Sequence, residues 1–358
     1  MEKIGIITAG GDCAGLNAVI AAIVKTGTPM GYEFIGFERG WEGILNPPMY
    51  KTLDLATVSG ITHLGGTILR TTNRGRFSSK KGAGEKNEIP QEILGEAKGN
   101  LDALGVSGLI VIGGDGSLGS ALQLADQGVR IIGVPKTIDN DLHSTDQTFG
   151  FSTSVQVALD ALDKIHTTAS SHDRTIFVEC MGRNAGWIAL FAGLAGGAHS
   201  ILLPEFPFEL HAFVEFLRSR RNAGKNSNIV VVAEGVHFND TIHAKETNER
   251  QEVLLGGVSS HLMHAVEEIA PEEFEMRNVV LGHIQRGGTP NAEDRILSQR
   301  YGVAAMEAYN AGTFNHMVAL HGRSMRLVPI AHAVNEIKGV TESCEEYQTA
   351  RRLGIFVG

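Results

Sequence analysis

Short runs rich in Val and Ile alternate with longer helical patterns along most of this chain, and few folds accept that alternation. Strands are expected at residues 3–8, 33–37, 108–112, 131–134, 175–180, 200–203, 228–233 and 278–281. Helical periodicity marks 16–26, 93–104, 117–127, 153–169, 185–194, 210–223, 258–269 and 292–311. Strand–helix alternation of this kind predicts an α/β protein with one or two mostly parallel sheets. The strands are almost continuously apolar, which implies burial on both faces. At 358 residues the chain is long for one domain and comfortable for two, and a boundary is expected near Gly150. Residues 71–90 read as a charged loop, in which Arg74 and Arg76 stand out because they follow the turn-like Gly65-Gly66-Thr67.

The net charge of −9 argues against a general nucleic-acid binder, so any phosphate site must be a local cluster of Arg, Lys and backbone N–H groups. Cys13, Cys180 and Cys344 are too scattered for a disulfide framework or a zinc site, and a reducing, cytoplasmic setting is expected. The apolar run after Met1-Glu2-Lys3 is too short for a signal sequence. Residues 184–204 lack Asp, Glu, Lys and Arg, but Gly196-Gly197 and His199 break them. A buried helix followed by a strand is expected there rather than a membrane span, which needs about 20 apolar residues.

Strands that end in polar, glycine-rich loops carry the chemistry, because ligands of open parallel sheets bind at the carboxyl ends of strands. Thr8-Ala9-Gly10-Gly11-Asp12 joins the first strand to the first helix. Its glycines let the backbone approach a polyphosphate, and the helix start adds about half a positive charge. A tight βα turn with no ligand is the plain alternative.

Gly113-Gly114-Asp115-Gly116-Ser117 follows a second strand. Gly114, Gly116 and Gly119, with Asp139 twenty residues on, also satisfy a dinucleotide spacing, so a nicotinamide-binding reading stands as a rival. Asp115 counts against it, since a carboxylate in a phosphate cradle repels pyrophosphate unless a cation stands between. Asp115 thus reads as a Mg²⁺ ligand, with Gly116 and Ser117 offering N–H groups to phosphate. A third strand ends in Pro135-Lys136-Thr137-Ile138-Asp139-Asn140-Asp141. One carboxylate there can take a proton from an alcohol, another can help place the metal or the base, and Lys136 adds positive charge beside the transferred group.

Two basic clusters also follow strands. One is Met181-Gly182-Arg183; the other runs from Gly282 to Gly288 and holds His283 and Arg286 three residues apart, so that a turn could aim both at one anion. Glu234, after the strand at 228–233, is a carboxylate suited to sugar hydroxyls.

In this order, Gly10-Gly11-Asp12, residues 113–117, residues 135–141, Met181-Gly182-Arg183 and residues 282–288 closely resemble the phosphofructokinase family, over residues 4 to about 300. The resemblance implies two similar three-layer α/β domains with mostly parallel sheets. Residues 1–150 with about 285–335 would form a nucleotide-binding domain, and 151–284 with about 336–358 a sugar-phosphate domain. It implies fructose 6-phosphate as acceptor and Mg²⁺ as cofactor. Asp139 matches the catalytic base and Asp115 the metal ligand, with Thr137, Arg183 and Lys136 beside the transferred group. Gly11, Arg74, Gly116, Ser117 and Gly119 match nucleotide positions. Thr137, Asp139, Asp141, Met181, Gly182, Arg183, Glu234, His283 and Arg286 match the sugar-phosphate site. Arg174 and Arg277 match arginines that reach the sugar phosphate from a neighbouring subunit, which implies a homodimer or homotetramer with shared sites.

Donor choice hangs on Gly116 and Lys136. Pyrophosphate-using members resemble this chain at Lys136 but carry Asp where Gly116 stands. Glycine leaves room for the α-phosphate and nucleoside, so ATP is expected, with pyrophosphate as the alternative; a different kinase with a Gly-Gly-Asp-Gly loop, for NAD or a lipid, is a further one. The chain departs from the allosteric bacterial type at Ala21, Lys25, Leu55, His166 and His199, where only Lys25 keeps a positive charge. Each lost Arg–phosphate pair costs about 1.5–3 kcal/mol, so the inherited ADP or phosphoenolpyruvate regulation is expected to be absent.

Overall fold

The structure is a computed structural model that describes the chain apart from residues 73–74, 78–79, 82–84, 87, 239–243 and 248–252. Its residues gather into two compact units. The first holds Met1–Ile138, Leu142–Thr153 and Arg286–Ile337; the second holds Asp139–Asp141, Ser154–Gln285 and Lys338–Gly358.

Among the described residues, the first unit is built on a seven-stranded sheet. Its order is Ser324–Pro329, His316–His321, Arg130–Pro135, Val106–Gly113, Glu2–Thr8, Tyr32–Phe37, Tyr50–Leu53. The inner strands are parallel and the two edge strands antiparallel. Alternate side chains serve opposite faces of a strand. Ile7, Leu109, Val111 and Ile131 therefore join Leu94, Leu101, Leu118 and Leu124 of the helices Gln91–Ala103 and Asp115–Ala125 in one core layer. Ile4, Ile6, Ile110 and Ile112 are equally buried. Each such side chain contributes about 1.5–3 kcal/mol by leaving water. Helices Leu16–Gly27 and Ala292–Asn310 cross at Gly302, where a Cβ would stand 2.6 Å from that of Ala22. Only glycine permits that approach.

The second unit carries a five-stranded parallel sheet, in the order Glu275–Val280, Arg174–Cys180, Asn228–Ala233, Ser200–Leu202, Phe356–Val357. Every residue of Asn228–Ala233 is buried, as the apolar run after Asn228 implies, and the Asn228 amide is bonded to Arg220 and Thr175. No helix of the described residues is long and apolar enough to cross a membrane, and 184–204 resolves into the helix Trp187–Ala195 and the strand Ser200–Leu202.

Every expected strand and helix is present, most with ends shifted by one to three residues, and the strand Asn228–Ala233 and the helix Val258–Ile269 with the expected bounds. The strand expected from 278 begins at Glu275, because its outer residues are polar and exposed on a sheet edge. The expected loop at 71–90 contains a short antiparallel pairing of Lys80–Lys81 with Glu85–Lys86. The strands Tyr50–Leu53, His316–His321, Ser324–Pro329 and Phe356–Val357 and the helix Glu345–Arg352 were not expected from sequence. Most of them are short, lie at sheet edges and are partly exposed, so their patterns lack a continuous apolar face.

Candidate active site

In the first unit, Arg130–Pro135, Val106–Gly113 and Glu2–Thr8 lie side by side and parallel. Their carboxyl ends bring together the loops that sequence singled out. The chain leaves the first strand toward Tyr32–Phe37 on one side and later returns to Val106–Gly113 on the other. That reversal is where an open parallel sheet forms its ligand crevice. The loop at Gly10–Gly11 and the helix start at Asp115 flank it.

Asp115 is the first residue of its helix, two positions earlier than the expected helix at 117. Gly114 in extended conformation makes the turn, and the Leu118 N–H closes the first helical bond onto its carbonyl at 2.9 Å. First-turn N–H groups point away from the helix's own carbonyls, and here they belong to Asp115, Gly116 and Ser117. Gly119 lies one turn further on, where a Cβ would meet nothing within 4 Å. The buried Lys136 donates from Nζ to the Gly11 carbonyl at 2.5 Å. A Cβ on Gly10, which has φ +82°, would stand 3.3 Å from both Lys136 Nζ and Ser117 Oγ. The three loops are thus packed against one another. Arg286 joins them: its Nη1 donates to the Asp12 carbonyl at 3.3 Å and would lie 2.7 Å from a Cβ on Gly11. Thr137 is buried, and its carbonyl accepts from Thr148 Oγ1 at 2.7 Å.

In the second unit, Glu275–Val280, Arg174–Cys180 and Asn228–Ala233 are neighbours in the sheet. Their carboxyl ends set the turn with His283, the loop Met181–Arg183 and Glu234 beside one another. Glu234 Oε1 accepts the N–H groups of Gly182 at 3.2 Å and Arg183 at 2.9 Å. Burial pushes its carboxyl above the usual range, the Arg183 N–H opposes that, and the nearby charge of Asp139 adds to the rise. Arg183 takes a left-handed backbone, φ 52°, and its Nε stands 4.0 Å from Asp139 Oδ2. Asp139 is buried at 4 % exposure, whereas the Arg183 side chain is half exposed. The carbonyl of Asp141 accepts from the Lys338 N–H at 2.9 Å.

Gln285 was not singled out by sequence reasoning. Its Oε1 accepts the Met181 N–H at 2.8 Å from a position that is 1 % exposed. The available signal was a glutamine between His283 and Arg286 in a glycine-rich turn.

Arg174 opens its strand, at the end opposite Arg183. Six residues of strand rise, about 20 Å, separate it from Cys180. It pairs with Glu275 at 2.7 Å, and Arg277 reaches the same carboxylate at 3.2 Å. Arg76 forms a two-pronged pair with Glu96, both contacts at 3.0 Å, and is thereby engaged within the unit. Arg74 lies outside the described residues. Burial pushes the Cys13 and Cys180 thiols up to about 12, so neither is a nucleophile at neutral pH.

Among the described residues, no three His, Cys, Asp or Glu side chains gather as a metal cage. A carboxylate at a helix start fits the needs of Mg²⁺, which takes one or two carboxylates and completes its shell with phosphate oxygens and water.

Residues 3–309 match the family model described as phosphofructokinase. The chain belongs to the phosphofructokinase family. It is 44% identical over 357 residues to the ATP-dependent 6-phosphofructokinase of Chloroflexus aurantiacus, covering 100% of this chain and 98% of the relative. It is 45% identical over 360 residues to ATP-dependent 6-phosphofructokinase 2 of Clostridium perfringens, covering 99% and 98%. It is also 44% identical over 361 residues to the pyrophosphate–fructose 6-phosphate 1-phosphotransferase of Streptomyces coelicolor, covering 99% and 100%. Among solved structures it resembles the phosphofructokinase of Pichia pastoris in its T-state, with a TM-score of 0.80 at 29% identity. That match covers 93% of this chain and 35% of the larger one.

Proposed function

We infer that this chain is an ATP-dependent 6-phosphofructokinase, transferring the γ-phosphoryl group of ATP to O1 of fructose 6-phosphate in glycolysis. The observation that carries the reading is the row of three adjoining strand ends in the first unit: Gly10–Gly11, the helix start at Asp115, and Lys136 bonded to Gly11. Such a row is suited to a polyphosphate. Gly116 in the first helical turn supports ATP over pyrophosphate, because an Asp there would crowd and repel the α-phosphate.

In this reading the first unit binds the nucleotide and the second the sugar phosphate. Asp139 accepts the proton of the O1 hydroxyl, and the guanidinium of Arg183 beside it stabilises the transferring group together with Lys136 and Thr137. Gly11, Gly116, Ser117, Gly119 and Arg74 hold the nucleotide. Met181, Gly182, Glu234, Asp141, His283 and Arg286 hold the sugar phosphate. Asp115 would hold Mg²⁺, which when bound neutralises charge on the phosphoryl oxygens. Arg174 and Arg277, far along their strands from Arg183, serve the site of a neighbouring subunit in a homodimer or homotetramer. A cytoplasmic location belongs to the same reading.

Regulation by ADP or phosphoenolpyruvate at the inherited position is absent. Ala21 is buried, and Leu55 brings no charge to that position. His199 Nδ1 accepts the Ile229 N–H at 3.0 Å, and burial, with Arg220 and His166 nearby, lowers its pKa to about 4. A histidine held neutral in this way offers no charge to a phosphate.

Product formation from fructose 6-phosphate with ATP and with pyrophosphate, run side by side, tests the reading. Turnover with ATP is expected; turnover with pyrophosphate alone overturns it.

A further inference from the structure

We propose that Lys338, seated on Trp187, is a positioning residue for the loop Asp139–Asp141; the inference rests on Asp139 acting as the base. The loop needs support. Asn140, between the two carboxylates, has φ 52°, a left-handed conformation that asparagine adopts more readily than most residues when its side chain is hydrogen-bonded. It is also buried at 4 % exposure, so its amide must be satisfied within the protein.

Lys338 supplies two bonds to this loop. Its Nζ donates to Asn140 Oδ1 at 3.0 Å, and its backbone N–H donates to the Asp141 carbonyl at 2.9 Å. One bond is charge-assisted, the stronger kind. Together they hold the residue between the carboxylates from its side chain and the residue after it from its backbone.

The lysine is itself held. Trp187 Nε1 donates to the Lys338 carbonyl at 2.7 Å, and the ammonium lies 5.6 Å from the centroid of the indole ring. Two residues on, the Val340 N–H donates to Glu205 Oε1 at 2.8 Å, and the same oxygen takes the Gly186 N–H at 2.9 Å. Residues 338–340 thus form a strap between the start of the helix Trp187–Ala195 and the carboxylate loop. The strap lies beyond residues 3–309, which carry the family match.

A base must stand within hydrogen-bond reach of its proton, and a displacement of about 1 Å can cost on the order of 10²-fold in rate. Loosening the loop should therefore lower turnover and leave sugar binding almost intact. Lys338→Met keeps an unbranched side chain one atom shorter and removes the Nζ donor, leaving the backbone bond to Asp141 in place. We expect kcat to fall about tenfold, with KM for fructose 6-phosphate within about twofold, and Lys338→Arg to recover most of the loss. In an Asp139→Asn background, Lys338→Met should cost nothing further, because the group it positions is gone. Trp187→Phe removes the indole donor without touching the loop and should give a smaller loss confined to kcat. It carries the same test should Lys338→Met not fold.

Unchanged kcat in both Lys338→Met and Trp187→Phe, with Asp139→Asn impaired, overturns the positioning role alone. Losses in Lys338→Met and Asp139→Asn that simply multiply overturn it as well. Full activity of Asp139→Asn overturns the assignment of the base, and the positioning role with it.

Discussion

The Nε of Arg183 stands 4.0 Å from Oδ2 of the buried Asp139. A largely buried carboxylate facing a half-exposed guanidinium suits proton acceptance beside an anionic group. The guanidinium stays accessible to a ligand while the carboxylate is shielded from solvent. Asp139→Ser should accordingly lower kcat by about 10²-fold or more, while fructose 6-phosphate binding, read by titration calorimetry, stays near that of the parent.

Glu234 braces the Met181–Arg183 loop through two N–H bonds and has a raised pKa. A carboxyl with a raised folded value binds protons more readily in the native than in the unfolded protein. Its stabilising contribution is complete below the ordinary carboxylate range and is lost as pH rises through the raised value. Glu234→Gln keeps the accepting oxygen and removes the charge. It should abolish that part of the pH dependence, seen as a flatter melting temperature across mildly acidic pH. KM for fructose 6-phosphate should rise as the charged acceptor for sugar hydroxyls is lost.

Lys136 reaches the Gly11 carbonyl from a buried position. Lys136→Met leaves that carbonyl without its donor, at a cost of about 1–3 kcal/mol. Denaturant unfolding should show the loss, and KM for ATP should rise as the loop at Gly10–Gly11 loosens.

Gly116 lies in the first turn of its helix. An Asp side chain there would add negative charge where an α-phosphate is expected. Gly116→Asp should lower kcat/KM for ATP by on the order of 10²-fold and that for pyrophosphate far less, since two like charges about 4 Å apart near a protein surface repel by about 4 kcal/mol. Equal losses with both donors would show that this position does not choose between them.

Arg174 and Arg277 converge on Glu275 at the strand ends opposite Arg183. If they complete a neighbouring subunit's site, Asp139→Ser and Arg174→Ala chains refolded together should regain activity above the sum of the two alone. Activity equal to that sum would place each site within a single chain.

The sequence by itself determined the class of fold and the loops that matter. Short, β-branched apolar runs such as Ile229–Val232 favour inner strands, and glycine with Asp after such a run marks a ligand-bearing strand end. These signals are local, set by burial and backbone freedom within a few residues. The edge strands escaped because partial exposure removes their pattern, and Gln285 escaped because its role is a bond to Met181, more than a hundred residues away. Only the tertiary structure decided which loops adjoin. Strand order brings Gly11 to Lys136, and the return of the C-terminal strap brings Lys338 to Asn140. No periodicity encodes such pairings, because each bond depends on where two remote segments come to rest.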